Sequence, residues 1–207
     1  MVYSADWIVF VLVVFRPPTY FYQMKTSDAE ILIVPGYKGA NDDHWLSRWE
    51  RNITSARRVQ LGDWHKPVFE DWKCNLLAAV STAKKPVFLI GHSIGSQVIV
   101  HAAREFNTEV VGALLVAPPD VENNNIRPKH LMTFGPTSRD PLPFPSVTIA
   151  SRNDHFCAYD KAEEMAAAWG SLFMDAGESG HINHESGHGP WPEGLMVFSR
   201  FLKQIQL

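Results

Sequence analysis

The chain has 207 residues, of which 45% are hydrophobic and 20% are charged, and it carries a formal net charge of −3. This size and composition are typical of a globular protein with one substantial core. The slightly acidic balance and the lack of a Lys/Arg run argue against nucleic acid or an anionic surface as a partner. The two cysteines have no CxxC spacing, so they indicate neither a disulfide framework nor a zinc knuckle and favour a reduced, cytoplasmic setting.

The first 23 residues differ from the rest of the chain. Trp7–Phe15 is an uninterrupted apolar run, shorter than the ~20 residues that a membrane-spanning helix needs. It has neither the basic start nor the cleavage site of a signal peptide. Its apolar, β-branched residues are compatible with a buried strand, with membrane association (which we do not favour) or with an extension upstream of a natural start at Met24. We therefore separate residues 1–23 from a single domain over residues 24–207.

From Glu30 onward, short apolar runs alternate with amphipathic segments. The predicted strands are Ile31–Val34, Arg57–Leu61, Pro86–Ile90, Val110–Val116, Ser146–Ala150 and Ser171–Asp175. The predicted helices are a segment capped by Asp42 or Asp43 and ending at Arg51, a segment with Pro67 in its first turn, Ser96–Phe106, Asp160–Trp169 and Gly194–Gln204. This alternation predicts the α/β class, a three-layer αβα sandwich around a mostly parallel central sheet.

The strand Pro86–Ile90 leads directly into GHSIG, residues Gly91–Gly95. In such a sheet, catalytic groups collect at the carboxyl ends of the strands. A sharp strand-to-helix turn exposes the Ser93 hydroxyl above the sheet, and the two glycines let strand and helix approach closely. The pattern predicts a nucleophilic serine, and the alternative is a tight glycine–serine turn without chemistry.

A serine nucleophile needs a base to remove its proton and a carboxylate to orient that base. Asp154 follows the strand Ser146–Ala150, and Asp120 follows the strand Val110–Val116. Both therefore stand where an acid is expected. The chain order of serine, acid and histidine, and the distance to the last strand, favour Asp154, with Asp120 as its competitor.

Three histidines follow the last predicted strand in the sequence HINHESGH, which begins at His181. His181 is the first of them and is best placed to reach back over the sheet as the base. Together with His184 and His188 it could instead form a zinc site, although the loop has no HExxH pattern and no paired cysteine ligands. We predict His181 as the base, His184 and His188 at the pocket rim or in solvent, and no metal or organic cofactor.

An acyl-transfer intermediate also needs an oxyanion hole. The predicted donors are the backbone N–H of Ile94, directly after the nucleophile, and that of Tyr37, in the loop after the first strand. His44, Trp45 and His92 are predicted to line the substrate cleft. For His44 and Trp45, a helix cap and a core aromatic are equally open alternatives.

Taken together, these segments resemble a known family. VPGYKGANDDHWLSRWE, VFLIGHSIGS, VAPPDVE, SRNDHFC, WGS and GHINHESGHGPWPEG are similar to segments of the small serine hydrolases of the YdeN and retinoblastoma-binding-protein-9 type, over roughly Glu30–Leu207. The resemblance implies a compact α/β-hydrolase fold and a catalytic triad at Ser93, Asp154 and His181. It also implies hydrolysis of esters or amides without a cofactor. Residues 1–23 have no counterpart, and the chain lacks the L-x-C-x-E motif linked to retinoblastoma-protein binding, so such a partner is not expected.

Three functions remain open at this point. A serine hydrolase that cleaves a small ester or amide through an acyl-enzyme explains the serine turn, the acid and the base together. A binding module that keeps the fold without catalysis is the second interpretation. A metal-dependent hydrolase is the third, because it explains the histidines and leaves the Ser93 turn without a role.

Overall fold

A computed structural model describes residues 23–205 of the chain. Its strands are β1 (Glu30–Val34), β2 (Ala56–Arg58), β3 (Val87–His92), β4 (Val110–Val116), β5 (Ser146–Ala150) and β6 (Leu172–Asp175). Its α-helices are α1 (Trp45–Asn52), α2 (Phe69–Ser81), α3 (Ile94–Ala102), α4 (Tyr159–Trp169) and α5 (Pro192–Gln204). Short 3-10 helices cover Thr26–Asp28 and Lys129–Phe134.

The strands form one sheet in the order β2-β1-β3-β4-β5-β6, and every neighbouring pair is parallel. The predicted α/β class with a parallel central sheet is therefore confirmed. From β1 the chain first moves outward to β2 and then continues on the other side through β3. In sheets with this reversal, ligands bind beyond the carboxyl ends of the two strands that flank it. The topology thus points to the loops after β1 and β3.

The helices cover both faces of the sheet, as the three-layer prediction requires. Successive residues of β1 alternate between the layers because side chains of a strand point to opposite faces. Leu32 and Val34 pack with α2, α3 and α4, whereas Ile31 and Ile33 pack with α1 and α5. The central strands β1, β3 and β4 are buried on both faces and read as almost continuous apolar runs.

The start of α1 differs from the prediction. The helix begins at Trp45, and its N-cap is His44, whose ring Nδ1 accepts the backbone N–H of Leu46 at 3.1 Å. Asp42 and Asp43 lie before the cap. The Asp43 carboxylate pairs with Arg48 at 3.0 Å. An aspartate is the statistically better cap, but the chain turns into the helix one residue later than the charge pattern suggests.

Several further elements also differ in their bounds, most of them by one or two residues, and α2, α3 and β2 show the differences that matter for the site and the core. Pro67 is buried just outside α2, which begins at Phe69, so it is not in the first helical turn. The helix after GHSIG starts at Ile94, directly after the serine, and ends at Ala102, short of the predicted Phe106. The second strand spans Ala56–Arg58 only. The three buried residues of α2 are Trp72, Leu76 and Val80, which are four residues apart and so lie on one face of the helix.

Whether a helix could span a membrane can be examined only in the part of the chain that the structure describes. Within residues 23–205, no helix has the length and apolarity needed to cross a bilayer. The apolar run Trp7–Phe15 lies outside the described residues, so its predicted roles are not tested.

Candidate active site

Ser93 stands at a sharp turn between β3 and α3, as the glycine pattern predicts. Its backbone has φ 55° and ψ −132°, a combination that costs a non-glycine residue on the order of 1–3 kcal/mol. The strand ladder continues up to this point, because the Ser93 N–H donates to the Val116 carbonyl at 2.9 Å. The sheet on one side and the helix on the other thus hold the backbone of Ser93 in this strained conformation.

Glycines let other parts of the main chain approach this turn closely. A methyl group at Gly91 would lie 2.7 Å from Ile99 Cδ1 and 2.9 Å from Ser96 Cα. One at Gly95 would collide with the main-chain carbonyls of Val34 and Pro35. Close packing therefore requires both glycines of GHSIG, which is the physical reason that this sequence pattern carries information.

His181 lies between Ser93 and Asp154. Its Nε2 is 2.9 Å from Ser93 Oγ, and its Nδ1 is 2.8 Å from Asp154 Oδ2. Both are hydrogen bonds of ordinary length. The side chains of His181 and Asp154 are only 5% and 3% exposed, so water does not compete for the contact. The carboxylate of the competitor Asp120 instead accepts the Glu122 N–H at 3.1 Å.

The other two histidines of HINHESGH point elsewhere. His184 is exposed and lines the mouth of the cleft, as predicted for a rim residue. His188 is half-buried against Trp191, with ring centroids 6.2 Å apart, so it neither lines the cleft nor faces solvent fully. Among residues 23–205, no three His, Cys, Asp or Glu side chains are arranged to hold a metal ion.

The two predicted oxyanion donors flank the serine. Ile94 is the first residue of α3, where helix N–H groups have no acceptor inside the helix. Tyr37 follows Gly36, and a methyl group at Gly36 would lie 2.6 Å from Ser93 Cβ and 3.2 Å from its Oγ. The main chain of the β1–α1 loop therefore lies directly against the nucleophile. This arrangement suits an oxyanion formed between the two loops.

The serine opens into a cleft of about 530 Å³. One wall is the β1–α1 loop with Tyr37 and Lys38, and another comes from the long loop after β4, which supplies Arg127 and Leu131. Sequence reasoning missed this second wall, because a loop rich in Pro and Asn shows no periodicity that would indicate which of its residues face the site.

The three residues predicted to line the cleft do so unequally. His44 borders it and is also the N-cap of α1, so its place at the cleft and its capping role are compatible, and a contact with substrate stays a prediction. Trp45 does not: it is fully buried, and its indole Nε1–H donates to the Ile182 carbonyl at 2.9 Å. The prediction for Trp45 is corrected to a core aromatic, because the first helical position turns it toward the core. His92 borders the cleft floor, but its Nε2 is 2.9 Å from the His181 carbonyl.

Burial controls the charge of the groups around the base. It lowers the pKa of His44 from 6.5 to about 4, assisted by the charge of Arg58, and lowers the pKa of His92 well below its usual range. Both rings are neutral at neutral pH, so neither opposes a positive charge that forms on His181. Burial also raises the pKa of the Cys157 thiol to about 12. Cys157 is thus not a thiolate and offers no competing nucleophile.

Comparison with known proteins agrees with this geometry. The model of the serine hydrolase family matches residues 31–200. The chain belongs to the serine hydrolase family. Comparison with curated protein sequences gives no match.

Solved structures place the chain more closely within this family. A YdeN-like hydrolase from Pectobacterium atrosepticum is 31% identical, with a TM-score of 0.78 over 88% of this chain and 95% of that chain. The ydeN gene product of B. subtilis is 16% identical, with a TM-score of 0.68 over 84% of this chain and 98% of that chain. An esterase domain from Rhodothermus marinus is 17% identical, with a TM-score of 0.62 over 86% of this chain and 87% of that chain. The resemblance to small YdeN-like serine hydrolases is thus confirmed. The B. subtilis and Rhodothermus marinus structures, at 16% and 17% identity, show a shared fold alone.

The serine hydrolase site also contains residues that motif analysis did not find. The loop before His181 is held by Asn153, whose Oδ1 accepts the Gly180 N–H at 2.7 Å. Ser186 Oγ accepts the N–H of His181 at 3.0 Å and donates to Asn183 Oδ1 at 2.7 Å. Asparagine and serine are ordinary loop residues, so nothing in the sequence distinguishes these from others nearby.

Proposed function

We propose that this serine hydrolase cleaves a small carboxylic ester or amide through an acyl-enzyme, with Ser93 as nucleophile, His181 as base and Asp154 as the acid that orients it. The observation that carries the proposal is the bridging position of His181, with one ring nitrogen 2.9 Å from Ser93 Oγ and the other 2.8 Å from Asp154 Oδ2. One ring nitrogen can then accept the serine proton, while the carboxylate on the other fixes the tautomer and stabilises the imidazolium. A binding module without catalysis would not need a histidine placed between a serine and an aspartate.

The chemistry follows from the geometry of these groups. His181 Nε2 takes the proton of Ser93 while Oγ attacks the substrate carbonyl carbon, and Asp154 stabilises the imidazolium that forms. The backbone N–H groups of Ile94 and Tyr37 receive the oxyanion. His181 then gives the proton to the departing alcohol or amine. Water, deprotonated by the same ring, attacks the acyl carbon. The ring then gives this proton to Ser93 Oγ as the acyl–oxygen bond breaks, which releases the carboxylic acid and free Ser93.

The cleft supports a small substrate. Its volume of about 530 Å³ lies within the range of about 300–1,000 Å³ of small-molecule sites. The long loop after β4 forms one of its walls, and we expect short or extended acyl groups to be accommodated better than bulky ones.

The nucleophile is tested by covalent labelling with a fluorophosphonate and by hydrolysis of p-nitrophenyl esters of increasing acyl length. Ser93→Ala should abolish labelling and lower kcat by on the order of 10⁴-fold or more. Ser96→Ala is the matched control, since Ser96 is a buried serine one turn further along α3 whose Oγ lies 3.5 Å from the Val116 carbonyl. It should label like the wild type. Full labelling of Ser93→Ala would refute the proposal.

The metal-dependent alternative is tested by substituting the histidines one at a time. His181→Ala should inactivate the enzyme, whereas His184→Ala and His188→Ala should each change kcat by less than about tenfold, because neither contacts Ser93 or Asp154. EDTA should have no effect on the wild type. Comparable losses at all three positions, reversed by added zinc, would favour the metal site instead.

A further inference from the structure

The main chain of the proposed base is held by side chains from two distant elements. The carbonyl of His181 is 2.9 Å from Nε2 of His92, the residue before the nucleophile. The next carbonyl, that of Ile182, accepts the indole Nε1–H of Trp45 at 2.9 Å. Two consecutive peptide groups are therefore bound to the β3 turn, which carries the nucleophile, and to the start of α1.

The conformation held in this way is one that the loop would not favour by itself. Ile182 has φ 49° and is fully buried. A β-branched residue in the left-handed region is a genuine outlier, and such strain persists only where surrounding contacts determine it. The hydrogen bonds from His92 and Trp45 hold the two carbonyls of this segment. On its amide side, the His181 N–H donates to Ser186 Oγ at 3.0 Å.

The protonation state of His92 agrees with a donor role. Burial lowers the pKa of His92 well below its usual range, so the ring is neutral and carries one N–H. A carbonyl oxygen only accepts, so the proton of His92 lies on Nε2. The ring also packs edge-on against His44, with centroids 5.0 Å apart. His92 thus has a fixed orientation and a fixed donor.

We propose that His92 and Trp45 are positioning residues, which hold the His181–Ile182 main chain so that the imidazole stays within reach of both Ser93 and Asp154. This inference rests on the proposed function. A displacement of the base by about 1 Å can cost on the order of 10²-fold in rate. Trp45 is fully buried and does not border the cleft, so its loss acts on kcat and leaves KM unchanged.

The test removes one N–H at a time. Trp45→Phe keeps an aromatic ring in the core but has no donor for the Ile182 carbonyl. Trp49→Phe is the matched control, since Trp49 is 5% exposed and packs on Trp45 at a centroid distance of 4.8 Å, in the same aromatic cluster. For the other contact, His92→Leu removes the donor, and His92→Gln retains an amide N–H that can replace it.

Steady-state kinetics and the end point of fluorophosphonate labelling are measured on each variant. The end point gives the fraction of the protein that is folded and reactive, however slowly each site reacts, so that kcat can be expressed per active site. We expect kcat to fall by about 10- to 100-fold in Trp45→Phe and His92→Leu. We expect His92→Gln to recover most of the loss, Trp49→Phe to match the wild type, and the KM of Trp45→Phe to stay at the wild-type value. Equal kcat values for Trp45→Phe and Trp49→Phe, or a loss confined to KM, would overturn the positioning role.

Ser93→Ala is assayed in parallel to separate the two proposals. If it still labels, the proposed function fails and the positioning role fails with it. If it does not label and Trp45→Phe retains the wild-type kcat, only the positioning role fails.

Discussion

The nucleophile turn and the base loop meet at two hydrogen bonds, one from Ser93 and one from His92 to His181, but they are built in opposite ways. In Gly91–Gly95 the position of Ser93 follows from main-chain packing, in which glycines bring strand, helix and the β1 loop into contact. In the loop around His181 the position of the ring follows from side chains that bind main-chain groups. Trp45 is 137 residues from Ile182, and His92 is 89 residues from His181.

This difference determines how each region responds to substitution. A turn that depends on the absence of side chains tolerates no added atoms, because main-chain atoms cannot move aside. A loop held by several separate hydrogen bonds can lose one of them and keep its fold, at a cost of about 1–3 kcal/mol for a buried carbonyl left without a donor. The first region should fail by unfolding and the second by slower chemistry.

The largest expected effect is that of Gly95→Ala. The added methyl group would collide with the carbonyl oxygens of Val34 and Pro35, so we expect a loss of several kcal/mol in the free energy of unfolding and no activity. Gly187→Ala is the control: its φ is +87°, but nothing lies within 4 Å of the added atom, so it should cost only about 1–2 kcal/mol. Urea unfolding and ester hydrolysis compare the two. Equal stabilities would contradict the steric account of the turn.

The second prediction concerns the acid. Asp154→Asn should lower kcat by about 10²–10⁴-fold, because an amide presents the wrong partner to His181 Nδ1. Asp120→Asn should change it by less than about tenfold, since its carboxylate only accepts the Glu122 N–H. Both variants should remain folded, which circular dichroism would verify. A reversal of the two effects would assign the acid to the loop after β4.

The smallest expected effect is on the pH dependence of stability. The pKa of His44 is about 4 in the folded protein and about 6.5 in the unfolded chain. Between these values the unfolded chain binds a proton that the folded protein does not, so stability falls as pH drops through this window, by up to about 3 kcal/mol. His44→Asn keeps a cap acceptor for Leu46 and removes this titration.

Urea unfolding at pH 7.5 and pH 5 measures the effect. The difference in stability between the two pH values should be smaller in His44→Asn than in the wild type. It should not vanish, because His92 has a pKa lowered in the same direction and remains in place. An unchanged difference would show that His44 is accessible to protons in the folded protein.

Much of the fold could be predicted because its signals are local. Val110–Val116 and Ser146–Ala150 have the predicted bounds, since each is a short segment of mostly apolar and β-branched residues that is buried on both sides. Gly170 ends α4 with φ 65°, as expected of a glycine after a helix. The elements with shifted bounds are those whose ends depend on neighbours, such as α1, which begins where His44 rather than an aspartate caps it.

The sequence by itself determined the parallel α/β architecture and the serine turn, because apolar periodicity and the absence of a Cβ act within a few residues. It also indicated both candidate acids and all three candidate histidines. Only the tertiary structure placed Asp154 rather than Asp120 against His181, moved Trp45 from the cleft wall to the core, and brought His181 to Ser93. These outcomes depend on distances between segments that are remote along the chain, and no local pattern encodes such distances.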